Sequence, residues 1–508
     1  MAWVIGLDIG TSSTKGLLVD EAGQVVASAS HPYELIQPAP GWAEQNPEDW
    51  WEATCTVVRK LIQKAGIQPS EVKALGLSGQ MHGMVLIDQA GQVVRPPILW
   101  CDVRTTAECR AIEEAVGLED LLQFTGNPAL EGFTAPKLVW MQRHEPDALA
   151  RAETLLLPKD YIRFRLTGER RMEISDAAGS LLFDVRAGTW SEPVLERLGL
   201  PPSLLPPVVG SWEVAGQITA EAAEATGLPV GTPVVGGGAD NACGALGAGV
   251  IDPGQALVSI GTSGVVLSPL SRPPATSDGK LHLFNHALPE RWYLMGVMLS
   301  AGLSYRWFRD ELAPLEKAAG QVTGIDAFEL LNREAASAPP GAGGVLFLPY
   351  LNGERTPHAD PHARGTFFGI SSAHRRAHLV RAVMEGITFG LRDSLELMRA
   401  TGQPVSRLRA IGGGAKSDLW LQIQADILDA VVERPVVDEG PAYGAALLAG
   451  VGAGWYRTPH EAAQHVAVQA TYEPNPETRE VYDETYQLYR DLYPALQPLF
   501  PRVAALGG

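Results

Sequence analysis

The sequence predicts a mixed α/β protein of two domains that duplicate one another, and three observations carry that prediction. The chain is 508 residues long, more than a single hydrophobic core usually serves, so two domains with a cleft between them are expected. Short β-rich runs alternate with stretches of helical period along its length. Two short words recur in the same order, far apart in the chain.

The first word, Asp8-Ile9-Gly10-Thr11-Ser12, returns as Ser259-Ile260-Gly261-Thr262-Ser263, each time between apolar, strand-like flanks. The second, Gly244-Ala245-Leu246-Gly247-Ala248-Gly249, returns as Gly444-Ala445-Ala446-Leu447-Leu448-Ala449-Gly450. Two echoes in one order point to an internal duplication. The second pair is closer together than the first, so the first copy carries extra residues, which an added substrate-binding subdomain would explain. The turn-forming Ile251-Asp252-Pro253-Gly254 marks the boundary, giving domains 1–250 and 251–508.

The chain opens as a β-meander, two β-rich runs around a small polar turn followed by a second turn at Glu21-Ala22-Gly23. Helical period is expected over 48–65, 104–116, 374–401, 417–430 and 475–494. Further β-rich runs fall near 72–77, 233–237, 345–350, 407–412 and 431–437.

Composition removes several function classes. The balance of 45% apolar and 19% charged residues is that of an ordinary folded, soluble protein. A formal net charge of −18, with no dense Lys/Arg run, argues against nucleic acid and anionic membrane surfaces as partners. The four cysteines, Cys55, Cys101, Cys109 and Cys243, show no C-x-x-C spacing, so a reducing cytoplasm is expected and a disulfide framework or zinc site is not. Met1 runs straight into an apolar strand without the charged and apolar regions of a leader or an apolar span long enough for a membrane.

The two Gly-Thr-Ser turns carry the first chemical signal. Small residues let the backbone fold tightly with its N–H groups aimed outward, and hydroxyls add donors, which is how phosphate is cradled without a large positive charge. Thr11, Ser12, Gly261 and Thr262 are therefore candidates for holding a polyphosphate; ordinary hairpin turns are the alternative. Neither a G-x-x-x-x-G-K-[ST] loop nor a G-x-G-x-x-G turn after a strand is present. Asp8, where the first strand meets its turn, could hold Mg²⁺ directly or through water, or cap the turn. Lys15 could pair with phosphate or lie solvated on its strand.

Asp240 follows the run Val234–Ala239 and precedes the small-residue helix, at a strand end of the kind that opens onto the crevice of an α/β sheet. It could take the proton of an attacking hydroxyl, or cap the helix. Ser78-Gly79-Gln80-Met81-His82-Gly83 can surround a polyhydroxylated ligand, with a purely structural His82 as the alternative, and Trp100-Cys101-Asp102-Val103-Arg104 offers an aromatic face with a carboxylate and a guanidinium, or a half-buried ion pair. In Gly412-Gly413-Gly414-Ala415-Lys416-Ser417 the glycines would let a flat adenine approach the backbone, and Ser417 would cap the next helix.

Together these residues resemble the FGGY family of carbohydrate kinases, within the superfamily of actin, hexokinase and the heat-shock-chaperone ATPases. One family signature is matched by Gly132-Phe133-Thr134-Ala135-Pro136-Lys137-Leu138-Val139-Trp140. The other is matched by Gly365-Thr366-Phe367-Phe368-Gly369-Ile370 with His378-Leu379 and Ala382-Val383-Met384-Glu385. The resemblance implies two actin-like (ribonuclease H-like) domains around a catalytic cleft, the first binding sugar and the second ATP with Mg²⁺, and a homodimer.

The loop at 78–83 is similar to the substrate loop of the kinases that act on D-xylulose, which makes that ketopentose the expected substrate and Gln80, Met81, His82, Trp100, Asp102, Arg104 and Asn241 its expected surroundings. By the same resemblance Asp240 is the proton acceptor, Asp8 the carboxylate on the metal and phosphate side, and Gly413 and Gly414 part of the nucleotide site. Cys101 departs from the pattern, standing where those kinases usually carry Asn. Kinases of D-ribulose, L-xylulose or glycerol, and an actin- or chaperone-like ATPase, remain as alternatives.

Overall fold

Residues 2–506 are described by a computed structural model. In the first unit, β1 (Trp3–Ile9) and β2 (Ser13–Asp20) form a hairpin, and β3 (Val25–Pro32) continues the meander antiparallel to β2. The chain then crosses through α1 (Pro47–Ala65) to β4 (Val72–Gly79), which lies parallel to β1 with Asp8 opposite Ser78. Helix α1 starts where the Asn46 side chain accepts the Glu48 N–H at 3.2 Å, with Pro47 in the first turn. It ends at Gly66, whose φ of 66° suits a residue without Cβ. Trp50, Thr54, Val57, Val58 and Leu61 form its buried stripe.

Helix α2 (Thr134–His144) belongs to the long excursion before the sheet resumes with β5 (Val214–Gln217), β6 (Pro233–Val235) and the short β7 (Gly238–Ala239). The strand order is β5-β6-β4-β1-β2-β3, and β7 runs parallel to the end of β4. From the end of β7 the chain enters α3 (Asp240–Gly247).

The second unit repeats this plan. β8 (Gln255–Ile260) and β9 (Gly264–Leu270) form a hairpin, β10 (Trp292–Met298) lies beside β9, and α4 (Ala301–Trp307) follows. The long helix α5 (Arg376–Ala400) leads to β11 (Arg407–Gly412), parallel to β8. After α6 (Asp418–Leu428) comes β12 (Val431–Pro435), parallel to β11. Antiparallel β13 (Val468–Tyr472) ends the order β10-β9-β8-β11-β12-β13, and a seventh strand, His282–Asn285, lies beside β10 at the opposite edge. This is the first sheet's order of meander, then parallel strands, then one antiparallel strand, so the duplication read from the echoed words is present in the topology. Among the described residues no helix is long and apolar enough to cross a membrane.

The division of the chain is not contiguous. The first unit takes the residues up to Ile251 together with Leu270–Tyr293 and Glu439–Ala467, and the second takes the rest. Two segments from beyond residue 251, Leu270–Tyr293 and Glu439–Ala467, thus belong to the first unit. The reason for the second lies in α7 (Gly440–Gly452), the later of the two echoed small-residue stretches. A Cβ on Gly6 of β1 would lie 2.0 Å from the Ala442 carbonyl oxygen, and one on Gly76 of β4 would lie 1.9 Å from that of Ala445. The two echoed helices also meet each other. A Cβ on Gly247 would stand 2.0 Å from Gly440 O, and one on Gly444 2.0 Å from Cys243 O. The small residues of both words thus serve backbone-to-backbone packing.

Gly444→Ala should therefore cost about 2–3 kcal/mol, at the upper end of overpacking penalties. Urea unfolding checks this, and wild-type stability would show that the α3–α7 contact yields without strain.

Candidate active site

The parallel strands β1, β4 and β7 end side by side, at Ile9, Gly79 and Ala239. Carboxyl ends of parallel strands are where α/β sheets gather ligand groups. Here they gather Asp8, the 78–83 loop and Asp240.

Asp240 is the first residue of α3, and Ala239 occupies the capping position, so the helix-cap reading of Asp240 does not hold. Its Oδ1 accepts the backbone N–H of Asn241 at 2.7 Å and the Asn241 amide at 3.0 Å. Among the described residues Oδ2 has no hydrogen-bond partner. Burial and then the charge of Asp8 push its carboxyl up to about 7. The strand end beneath is held from below. Ala239 N–H donates to Ser175 Oγ at 2.9 Å, and that hydroxyl donates to Glu173 at 2.7 Å. Glu173 lies 3.3 Å from Lys159 Nζ, which also reaches Asp160 at 3.1 Å and Asp176 at 2.7 Å, all fully buried.

Asp8 does not cap its turn, which is closed by Gly10 N–H donating to Ser13 O at 3.1 Å. Its Oδ1 is a buried oxygen without a hydrogen-bond partner among the described residues. Burial pushes the carboxyl up to about 6, Glu439 adds to the rise, and Ser78 and Lys15 oppose it. Lys15 is engaged: its ammonium pairs with Glu439 at 2.9 Å. The turn is braced from three sides. Tyr33 donates to Gly10 O at 2.5 Å, Gln45 to Thr11 O at 2.6 Å, and Trp100 Nε1 to Thr11 Oγ1 at 2.9 Å, while Ser12 is exposed. An unpartnered buried carboxylate oxygen beside a tight turn suits a hard cation carried by a nucleotide. Among the described residues no cluster of three or more His, Cys, Asp or Glu side chains is placed to hold a metal by itself.

The sugar-loop residues divide. Met81 is buried, and its sulfur receives the Asn241 amide at 3.6 Å, which joins this loop to the residue after Asp240. His82 sits at φ 67°, in a γ-turn closed by Gly83 N–H donating to Met81 O at 2.8 Å. The positive-φ γ-turn is rare and strained, and costs about 1–3 kcal/mol at a non-glycine residue. The ring is set by Gly179 O, 2.5 Å from Nδ1, and by the edge of Phe133, with centroids 4.8 Å apart. A carbonyl only accepts, so Nδ1 carries hydrogen and Nε2 is the acceptor of the neutral ring.

Gln80, Asp102 and Arg104 are buried and engaged by other side chains and backbone of the protein. Gln80 is 1% exposed and donates to Gln45 at 3.0 Å. Asp102, also 1% exposed, accepts Ala43 N–H at 2.6 Å and pairs with Arg104 at 2.7 Å. Arg104 continues to Glu44 at 2.8 Å, with its guanidinium 3.6 Å from the Trp42 ring centroid. The ion-pair reading of this segment is the one realised, because partners from 42–44 enclose it. The Trp100 ring stays 40% exposed.

In the second unit, Gly261 and Thr262 are exposed at the β8–β9 turn, where Gly302 and Leu303 N–H groups of α4 donate to their carbonyls, both at 3.0 Å. In the glycine segment, a Cβ on Gly412 would fall 2.8 Å from Ile260 O and one on Gly414 2.7 Å from the Ile260 side chain. A Cβ on Gly413 would meet nothing nearer than 3.5 Å. Gly414 is thus a packing glycine, and Gly413 is the exposed one. Ser417 caps α6 as expected, accepting Trp420 N–H at 3.3 Å.

Residues 3–247 match the N-terminal domain of the FGGY family of carbohydrate kinases, and residues 256–453 match its C-terminal domain. The chain belongs to this family. A xylulose kinase of Bacillus subtilis (strain 168) is 45% identical over 483 residues, 95% of each chain. One from Staphylococcus epidermidis (strain RP62A) is 44% identical over 481 residues, 94% of each. The crystal structure of xylulose kinase from Rhodospirillum rubrum superposes with a TM-score of 0.90 at 36% identity, over 98% of this chain and 99% of that one. Membership among carbohydrate kinases sets aside the actin- or chaperone-like alternative. Glu439, Gln45 and Gly179 went unrecognised in the sequence; Glu439, directly before the echoed helix, had the clearest available signal.

The fold holds Asp240 near 7 against an ordinary 3.8, so folding favours its protonated form. That contribution is complete below pH 4 and is lost as pH rises through 7. Asp240→Asn removes the loss. Between pH 4 and pH 8 the variant should gain about 1–2 kcal/mol on the wild type, after allowing for solvent screening. Denaturant titrations at the two pH values check this, and parallel curves would show that the carboxyl is not perturbed.

Proposed function

We propose that this carbohydrate kinase transfers the γ-phosphoryl group of ATP to the 5-hydroxyl of D-xylulose, giving D-xylulose 5-phosphate and ADP. The observation that carries the reading is the carboxylate of Asp240 at a strand end, with one oxygen unengaged among the described residues and Asn241 linking it to Met81 of the sugar loop. The D-xylulose assignment is supported by the Met81-His82 loop and by the xylulose kinases that the chain matches along nearly all of its length. Trp100 adds an exposed aromatic face near the loop.

In this reading Asp240 Oδ2 takes the proton of the attacking hydroxyl. Phosphoryl transfer is largely dissociative, so the proton leaves late and a carboxylate is base enough. His82 Nε2 accepts from a sugar hydroxyl, and Asn241 orients the substrate beside the base. In the first unit Thr11 and Ser12 offer backbone N–H groups and hydroxyls suited to phosphate, and Lys15 can exchange Glu439 for it; in the second unit Gly261 and Thr262 offer groups of the same kind, and Gly413 lets an adenine lie against the backbone. Mg²⁺ would be held by Asp8, directly or through water, and when bound would offset the phosphate charge. Excluding water from this site keeps ATP from idle hydrolysis. A homodimer in the cytoplasm belongs to the same proposal.

ADP release with Mg²⁺ over a panel of D-xylulose, D-ribulose, L-xylulose and glycerol tests reaction and substrate together. D-Xylulose should give the highest kcat/KM, falling as pH drops below about 7 where Asp240 takes up its proton. Asp240→Asn should lower kcat by about 10³-fold or more while sugar and ATP binding stay within about twofold. A different preferred sugar would replace the substrate assignment, and near-wild-type turnover in the variant would remove Asp240 from the chemistry.

A further inference from the structure

Lys137 is fully buried, yet among the described residues it has no carboxylate within ion-pair reach. Its ammonium is spent on two carbonyl oxygens, Gly132 O at 2.5 Å and His82 O at 3.1 Å. A buried cation answered only by backbone dipoles is an expensive arrangement that a neutral side chain would avoid. Burial pulls the ammonium down to about 7, and the charge of Asp102 only partly offsets this. Such a group calls for a use.

What it grips is the apex of the strained turn. The carbonyl it holds belongs to His82, the non-glycine residue at φ 67°, and the same oxygen accepts Thr134 Oγ1 at 3.0 Å. Both donors stand one turn apart in α2. Strained backbone persists only where its surroundings over-determine it. Here two donors fix the peptide following His82, Gly83 N–H closes the turn, and Gly179 O fixes the ring. Without the donors the turn can relax, and the imidazole with it.

We propose that Lys137, assisted by Thr134, is a positioning residue for the sugar, clamping the His82 carbonyl so that the γ-turn aims the imidazole at a substrate hydroxyl. This rests on the reading of His82 as a sugar contact. It assigns a specificity role to a side chain that touches neither sugar nor ATP.

Steady-state kinetics on the full chain test it, using Lys137→Met, Thr134→Val, His82→Ala and the double variant His82→Ala/Lys137→Met. Lys137→Met should raise KM for D-xylulose about tenfold and leave that for ATP within about twofold. The double variant should be no worse than His82→Ala alone, because both act through one contact. Thr134→Val, which removes the second donor without disturbing the cation, should raise the sugar KM about threefold, and decides the matter if Lys137→Met fails to fold. The proposal is overturned if Lys137→Met adds its whole factor on the His82→Ala background, if both KM values rise together, or if Thr134→Val leaves the sugar KM unchanged. Should His82→Ala itself leave the sugar KM unchanged, the assignment of His82 is what fails, and the clamp proposal falls with it. A strong His82→Ala effect with a silent Lys137→Met and Thr134→Val would refute the clamp alone.

Discussion

Helix α7 comes down onto the backbones of β1 and β4 at Gly6 and Gly76, where a Cβ on the strand would collide with it, and the rest of the first unit is arranged around that contact. Gly6 and Gly76 supply the missing Cβ atoms on the sheet, and Gly444 and Gly247 supply them where α7 meets α3. Packing this close leaves little freedom for the strands, since interiors answer strain by shifting as a whole. The strand ends therefore deliver Asp8, the 78–83 loop and Asp240 to fixed places. The same helix begins beside Glu439, whose carboxylate holds Lys15 next to the phosphate-type turn.

On that rigid base the fold keeps two carboxyl groups in surroundings that favour their protonated forms. Among the described residues, Asp8 has a buried oxygen with no hydrogen-bond partner, and Asp240 has an oxygen that no hydrogen bond engages. Below them the buried Lys159 is surrounded by Asp160, Asp176 and Glu173, and Glu173 in turn holds Ser175 against Ala239. Burial pulls the Lys159 ammonium down, but the three carboxylates together push it above its usual range. Buried ionic networks of this kind are weak evidence for stability; here the network fixes the peptide from which Asp240 projects. Perturbed carboxyls gathered at strand ends are the pattern of a functional site.

Much of this was legible in the sequence, where local chemistry decides. A Gly-Thr-Ser turn after an apolar strand is written in adjacent residues, so both hairpins, Asp8 and Asp240 fell at strand ends as expected, and the Ser417 cap was readable from its position before a helix. What long-range packing decides was not legible. Asp102 and Arg104 look like a sugar-facing pair until Ala43, Glu44 and Trp42, about 60 residues away, enclose them. Glu439, which pairs with Lys15, is 424 residues distant. The allegiance of 439–467 to the first unit depends on glycine contacts that no periodicity reveals, although the echoed small residues were the trace they left.

The most direct measurement is a crystal structure of the Asp240→Asn variant with D-xylulose bound. The 5-hydroxyl should lie within about 2.6–3.2 Å of the residue 240 side chain, the reach a general base requires, with another hydroxyl on His82 Nε2. A sugar seated away from the 78–83 loop, or with its terminal hydroxyl turned from residue 240, would contradict it.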